Sequence, residues 1–337
     1  MHDKKFREVT MLVRFALVSS VALCAAAIIA APRASAQEVT LSALNYLPNT
    51  VDFGQSFFDW VEEVNREGKG VVQIAIRSSG SMGPANMGDA VKSGVVDMAN
   101  VPPAFYQKYV PVADGIKLAT ISHAEMHKNG AEDFINKLHN EKMGVEYLTT
   151  YGWGTTFHLY LRDKEIRQPE DIKGLKIRVS PVYRAFFNAL QAETVQMPSA
   201  DLYTALERGV VDGYGWSNWS IRGNGWEKVT KFRVDPGFFT PNNAIIVNHA
   251  KWKALTQQQR DFLKRKAIEL ASDFETKSAK PLNEKYNKEL GDAGIKVITF
   301  TGATRERYLK TAYDTAWQEM EKLDPVNAPK LKALITR

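Results

Sequence analysis

The chain has 337 residues, of which 44% are hydrophobic and 24% charged, with a formal net charge of +6. That length exceeds one ordinary domain of about 100–200 residues, and the composition excludes a disordered chain. The single cysteine is Cys24.

Residues 1–36 read as a leader. Lys4, Lys5, Arg7 and Arg14 precede an apolar run over 15–31, and Pro32 and Ala34-Ser35-Ala36 follow it. This is the pattern of a secretory signal peptide cleaved after Ala36, leaving Gln37 as the mature N-terminus. The rival is a membrane anchor, but the run of 17 residues falls short of the roughly 20 that span a bilayer. Met11 is an alternative start that keeps Arg14 ahead of the run. A lipoprotein would use Cys24, yet Leu23 stands where a small residue is expected. Removing the leader leaves no cysteine, so neither disulfides, thiol nucleophiles nor cysteine metal sites are expected. It also takes five basic and two acidic residues with it, leaving 39 basic against 36 acidic, a net +3. Without a basic block, no nucleic-acid partner is expected.

The mature chain begins with a predicted strand at 38–46 and an amphipathic helix over 52–66 carrying Phe53, Phe57, Trp60, Val61 and Val64. A β-branched strand at 71–76 and a helix from about 84 to 93, closed by Gly94, follow. A strand at 95–99 completes a parallel α/β pattern. Ligands of open α/β sheets sit beyond the carboxyl ends of strands. Tyr46, and Phe105 and Tyr106 in the loop 100–109, are therefore candidate cleft residues, with local packing as the rival reading. A helix is predicted over 122–139, and strands at 145–150 and 156–161.

Pro169-Glu170-Asp171 opens a short helix that ends at Gly174. A strand over 175–179, a helix over 182–191 and a further helix from Pro198, capped by Ser199, lead to Gly209 and a strand beginning at 210. Gly94-Val95-Val96-Asp97 is echoed 115 residues later by Gly209-Val210-Val211-Asp212, each after a helix. The echo fits two lobes on one βα plan with a cleft between them. A strand at 244–248, a long helix capped by Thr256 and interrupted at Pro281, a strand at 295–300 and an amphipathic helix over 304–323 complete the chain. Its apolar composition is enough for two cores. No Pro-, Gly- or Ser-rich linker appears, so the chain should cross between the lobes more than once.

Catalytic signatures are largely missing: there is no G-x-S-x-G elbow and no phosphate-binding loop. Gly152-Trp153-Gly154 and Gly223-Asn224-Gly225 lack a third glycine and read as turns. His123 and His127, four apart, could share a metal, but no third ligand is evident and exposed histidines are the expectation. No metal and no cofactor are expected. Arg178 stands apart. It closes a β-branched strand just before Ser180-Pro181, where its planar fork could grip a carboxylate through two parallel hydrogen bonds; an interlobe salt bridge is the rival. Tyr214, Trp216 and Asn218 lie at a second strand end, and offer the apolar wall and amide of a ligand cleft. Trp219 and Trp226 read as core.

GLKIRVSPVYRAFFNAL and VQMPSADLYTALERGVVDGYGW, with KSGVVDMANV, PEDIKG and NHAKWKALTQQQRDFL, resemble the DctP-type solute-binding proteins of tripartite ATP-independent periplasmic (TRAP) transporters. The resemblance implies an α/β, two-lobed periplasmic-binding-protein architecture, with crossing strands and a long helix spanning both lobes, that closes on an organic acid. The lobes would be 37–154 plus about 243–285, and 155–242 plus about 286–337. It further implies a periplasmic location, small and large membrane permease subunits as partners, and no enzymatic activity. The family's G-[LM]-K-I-R arginine falls on Arg178, and its later ligand contacts fall on Tyr214, Trp216 or Asn218. Tyr214-Gly215-Trp216 replaces the commoner Q-E-N there. Binders of larger sugar acids carry a second arginine upstream; here His158 occupies that position, with Arg162 nearby, which argues against a sialic acid. Two alternatives stay open: an exported enzyme using His158 with a nearby acid, and an ABC-type or sensory binding protein.

Overall fold

A computed structural model describes residues 37–77 and 82–337. The leader and its cleavage site lie outside the described residues. Residues 38–337 form one unit, built on two mixed sheets.

In chain order the elements are β1 (Val39–Asn45), α1 (Asp52–Glu67), β2 (Val72–Ile76), α2 (Pro84–Ser93), β3 (Met98–Val101), α3 (His123–Lys128), α4 (Ala131–Met143), β4 (Val145–Tyr151), β5 (Phe157–Leu161), β6 (Lys176–Val179), α5 (Arg184–Ala189), β7 (Glu193–Gln196), α6 (Leu202–Glu207), β8 (Gly213–Ser217), β9 (Phe232–Phe238), β10 (Asn243–Asn248), α7 (His249–Ala254), α8 (Gln257–Asp273), α9 (Ala279–Asp292), β11 (Lys296–Thr299), α10 (Gly302–Leu323) and α11 (Ala328–Ile335). The first sheet has the order β2-β1-β3-β10-β4 and the second β11-β9-β5-β8-β6-β7. These are the two lobes. The chain passes from the first sheet to the second between β4 and β5, back between β9 and β10, and over again before β11.

Local chemistry explains most boundaries. Thr256 accepts from the Gln259 N–H in a reciprocal capping box that starts α8. The expected helix over 122–139 divides because Gly130 adopts a left-handed φ of 85°. α8 runs through a π turn (Phe274–Ser278) directly into α9, so Pro281 sits in the first turn of α9 rather than interrupting a helix. Ser199 is not a cap: it opens a short 3₁₀ turn and its side chain makes no capping bond.

The echoed segments are one device used twice, although neither begins a strand. Val95 and Val210 are about half exposed, and β3 and β8 begin further on. Asp97 Oδ2 accepts from the Ser42 N–H of β1 at 2.8 Å, and Asp212 Oδ2 from the Lys176 N–H of β6 at 2.8 Å. Each aspartate thereby ties a helix-to-strand turn to the parallel strand beside it.

The apolar interior does not divide lobe by lobe. Ala244 and Ile246 of β10 join one cluster with Leu159 and Ile177 of the second sheet, whereas Ile245 and Val247 join another with Tyr160 and Tyr214. Side chains alternate between sheet faces, and the short crossings keep the two sheets adjacent, so each cluster runs along one face through both lobes. The end of the chain returns to the first lobe, where Thr120 N–H donates to the Ile335 carbonyl at 2.9 Å and Asn129 Nδ2 to that of Leu334 at 2.7 Å.

Candidate functional site: a cleft between the two sheets

The strand ends of both sheets converge on one cavity of about 660 Å³. The first lobe contributes residues 45–48 beyond β1, Pro102 and Phe105 beyond β3, and residues 241–243 at the start of the antiparallel β10. The second contributes Phe157 at the start of β5, residues 178–183, residues 196–200 beyond β7, and Trp216 near the end of β8.

Arg178 is set by register. It pairs with Tyr214 of β8 on one side and Val195 of β7 on the other, and is 4% exposed. Its Nε and Nη2 donate to the Met197 carbonyl at 3.1 and 2.9 Å, and its Nη1 to the Tyr183 hydroxyl at 3.2 Å. The guanidinium carbon lies 5.6 Å from the Trp216 ring centroid, a cation–π contact. A guanidinium has five N–H groups. Three are used, which leaves one on each terminal nitrogen without a partner among the described residues. No carboxylate there pairs with Arg178, so the interlobe salt bridge is not formed. A buried cation with a free donor on each terminal nitrogen and no counter-ion among the described residues is complementary to one carboxylate.

Gly215 makes this geometry possible. A Cβ at that position would lie 2.5 Å from Tyr183 Cε2. With glycine, the Tyr183 ring lies against the strand and its hydroxyl donates to the Gly215 carbonyl at 2.5 Å while accepting from Arg178. Behind Arg178, Lys117 Nζ donates to the Val182 carbonyl and to Asp114 Oδ2, each at 2.5 Å, linking the loop after β6 to the first lobe.

Across the cavity the polar side chains mostly satisfy one another. Tyr46 OH donates to Asn243 Oδ1 at 2.6 Å, and Asn243 Nδ2 donates to the Tyr151 carbonyl at 3.3 Å. Burial, reinforced by Tyr151 and Tyr183, pushes the Tyr46 phenol well above its ordinary pKa and keeps it neutral. Asn45 donates to the Gly54 carbonyl and accepts from Asn100. Asn242 is the exception: it is 2% exposed, and neither its Nδ2 nor its Oδ1 has a partner among the described residues.

Of the eight candidate residues, Arg178, Trp216, Tyr46 and Phe105 line this cavity. Four do not. Tyr214 is fully buried, stacked on Tyr160 at 5.1 Å and bonded to Thr230. Tyr106 packs locally, its hydroxyl 3.1 Å from His139 Nε2. The Asn218 amide is consumed by Asn287 and Thr155. His158 faces Asp235 at 2.9 Å, within a network that includes Arg233. Burial alone would raise Asp235, but the hydrogen bond to His158 and the Arg233 guanidinium hold it below the usual carboxylate range. His123 and His127 both bond Glu132, at 2.9 and 2.8 Å, and His123 is buried rather than exposed.

A family model described as bacterial extracellular solute-binding protein, family 7 (DctP), matches residues 46–323. The chain belongs to the DctP family, the solute-binding proteins of TRAP transporters. A solute-binding protein of Chromohalobacter salexigens is 24% identical over 313 residues, 90% of this chain and 89% of the relative. The C4-dicarboxylate-binding periplasmic protein DctP of Rhodobacter capsulatus is 31% identical over 178 residues, 52% of this chain and 50% of the relative. A TRAP periplasmic solute-binding protein of Ralstonia eutropha H16, solved with (S)-2-acetolactate, shares the fold at a TM-score of 0.75 and 23% identity, covering 88% of this chain and 98% of that one. Among the described residues no helix of this DctP-family chain is long and apolar enough to cross a membrane.

Sequence reasoning missed several cleft residues of this DctP protein. Tyr183 falls in the helix expected over 182–191 and Phe157 in the strand expected over 156–161, and the sequence singles out neither as a cleft residue. Met197 follows β7, a strand not expected. Asn242 follows Thr240-Pro241, and that proline before a β-branched run was the available signal for a strand start at the cleft.

Proposed function

We propose that the protein is the periplasmic solute-binding subunit of a TRAP transporter. It captures an organic acid by its carboxylate on Arg178 and delivers it to small and large membrane permease subunits. One observation supports this most: Arg178 is buried at the cavity with two N–H groups that have no partner, and no carboxylate of its own, among the described residues. Trp216, Tyr46 and Phe105 form the apolar wall, and Asn242 supplies a hydrogen-bonding group. In this reading the protein binds without chemistry: the His158–Asp235 pair, on which the enzymatic alternative depends, is not among the residues that line the cavity. The leader is cleaved after Ala36. Lobe I comprises 37–154 and about 243–285 with α11 docked on it, and lobe II comprises 155–242 and the remainder. Closure of the lobes desolvates the Arg178 contact and presents the closed shape to the permease.

The test is mass spectrometry of ligand released from purified, denatured protein, followed by thermal-shift screening of organic acids against wild type and Arg178→Ala. The variant should fold and lose ligand-induced stabilisation. An acid that stabilises both proteins equally would remove Arg178 from the site.

A further inference from the structure

The cavity carries more than the demand for an acid. Among its described lining residues Arg178 is the single charged side chain. Its two partnerless N–H groups, one on each terminal nitrogen, match one carboxylate. A second carboxylate would meet no counter-charge among the described lining residues, and an ionised group among rings and prolines is strongly disfavoured.

Most other polar groups of the lining are already committed. Tyr46, Asn243 and Asn45 bond one another or the backbone. Among the buried side-chain atoms of the lining, only the Asn242 amide joins Arg178 in having bonds to give. A polyhydroxylated acid would find only Asn242, the half-buried hydroxyls of Ser180 and Ser199 and the exposed amide of Gln196 to meet its hydroxyls.

The rest of the wall is apolar and rich in rings. Tyr46 and Phe105 come from the first lobe, with centroids 6.4 Å apart, and Phe157, Tyr183 and Trp216 from the second. A volume of about 660 Å³ has room for a ring-sized body, and ligand pockets bury most of what they bind. A three-carbon acid would leave these rings unfilled.

We propose that the ligand is a monocarboxylate with an aromatic or similarly bulky apolar body and few further polar groups, one of which pairs with Asn242. This rests on the organic-acid reading above and narrows it to one chemical class.

Ligand-free protein, prepared by unfolding, dialysis and refolding, would be titrated with 3-phenylpropionate, 3-phenyllactate, pyruvate, succinate and D-glucuronate. Calorimetry and tryptophan fluorescence, to which Trp216 contributes, give the affinities. The two phenyl acids should bind at least 100-fold more tightly than the other three, and Arg178→Met should weaken them at least 100-fold. Binding of pyruvate, succinate or D-glucuronate as tight as that of the phenyl acids, still abolished by Arg178→Met, overturns this inference and leaves the organic-acid reading standing. Binding that survives Arg178→Met, or no binding by any of the five acids, overturns both.

Discussion

Asn242→Leu separates what the cleft costs in stability from what it contributes to binding. In the unliganded protein the Asn242 amide is buried, with neither donor nor acceptor partnered among the described residues. Leaving a buried polar group unpaired costs about 1–3 kcal/mol. Leucine has a similar branched shape and no polar atoms, and the cavity beside it accommodates the change. Unliganded Asn242→Leu should therefore be more stable than wild type by about 1–3 kcal/mol, a rise in melting temperature of about 2 °C for each kcal/mol in a chain of this size. A neutral hydrogen bond contributes about 0.5–1.5 kcal/mol net, so affinity for an acid carrying a hydroxyl should fall roughly 3- to 10-fold. Calorimetric melting of refolded, ligand-free protein measures the first effect and isothermal titration the second. A variant that melts several degrees below wild type would refute the reasoning, because the amide would then be holding the fold together. Unchanged affinity for hydroxyl-bearing acids would remove Asn242 from the ligand's contacts.

Three further predictions test the frame around it. Each charge-assisted hydrogen bond contributes about 1.5–3 kcal/mol, so Arg178→Lys, which keeps the charge but loses the fork, should weaken binding roughly 10- to 100-fold; titration within threefold of wild type would contradict the two-bond grip. Gly215→Ala pushes a methyl into the Tyr183 ring, with Cε2 2.5 Å from the new Cβ. It should destabilise the protein by about 1–3 kcal/mol and weaken binding with it, since Tyr183 holds Arg178; an unchanged melting temperature and affinity would show that the ring is not pinned there. His139 is buried, donates through Nδ1 to the Ile135 carbonyl and accepts from Tyr106, and burial lowers its pKa to about 4 from 6.5. Because the folded state resists protonation, its contribution is present in full above pH 6.5 and lost as pH falls towards 4, about 3 kcal/mol in all. An imidazole NMR signal from His139 that titrates near 6.5 would contradict this.

The sequence exposed the parts of the site that depend on local chemistry. A cation at the end of a β-branched strand, just before Ser180-Pro181, marked Arg178, and the strand-end rule marked Tyr46 and Phe105. It could not separate Tyr214 from Trp216. Both lie on the same face of β8, but two residues amount to about 6.6 Å along a strand, which puts Tyr214 against Tyr160 and Thr230 while Trp216 reaches the cleft. Phe105 and Tyr106 differ for a comparable reason: neighbouring side chains point apart, and the hydroxyl of Tyr106 is bound by His139 in the core. β7 escaped notice because Glu193, Thr194 and Gln196 leave it without an apolar pattern, and β9 because Arg233, Asp235 and Pro236 interrupt one. Asn242 depends on β10 running antiparallel, so that its beginning rather than its end meets the cleft, and pairing direction is not written in β10 itself.

The departure at residues 214–216 has a structural cause that bears on how the anchor works. A buried guanidinium loses much of its hydration, and only well-placed partners offset that loss. Here the partners are all neutral: the Met197 carbonyl, the Tyr183 hydroxyl and the Trp216 ring. They fix the direction of the fork without cancelling its charge, which leaves it free for the carboxylate that the proposed function assigns to it. A protein carboxylate in place of any of them would orient Arg178 equally well but occupy the fork. Tyr183 can serve only because its ring lies against bare backbone at Gly215, and the indole of Trp216 covers the guanidinium beside it. Glycine followed by tryptophan is therefore a coupled choice, in which the first residue admits the phenol that aims the cation and the second supplies an apolar wall that leaves its charge available.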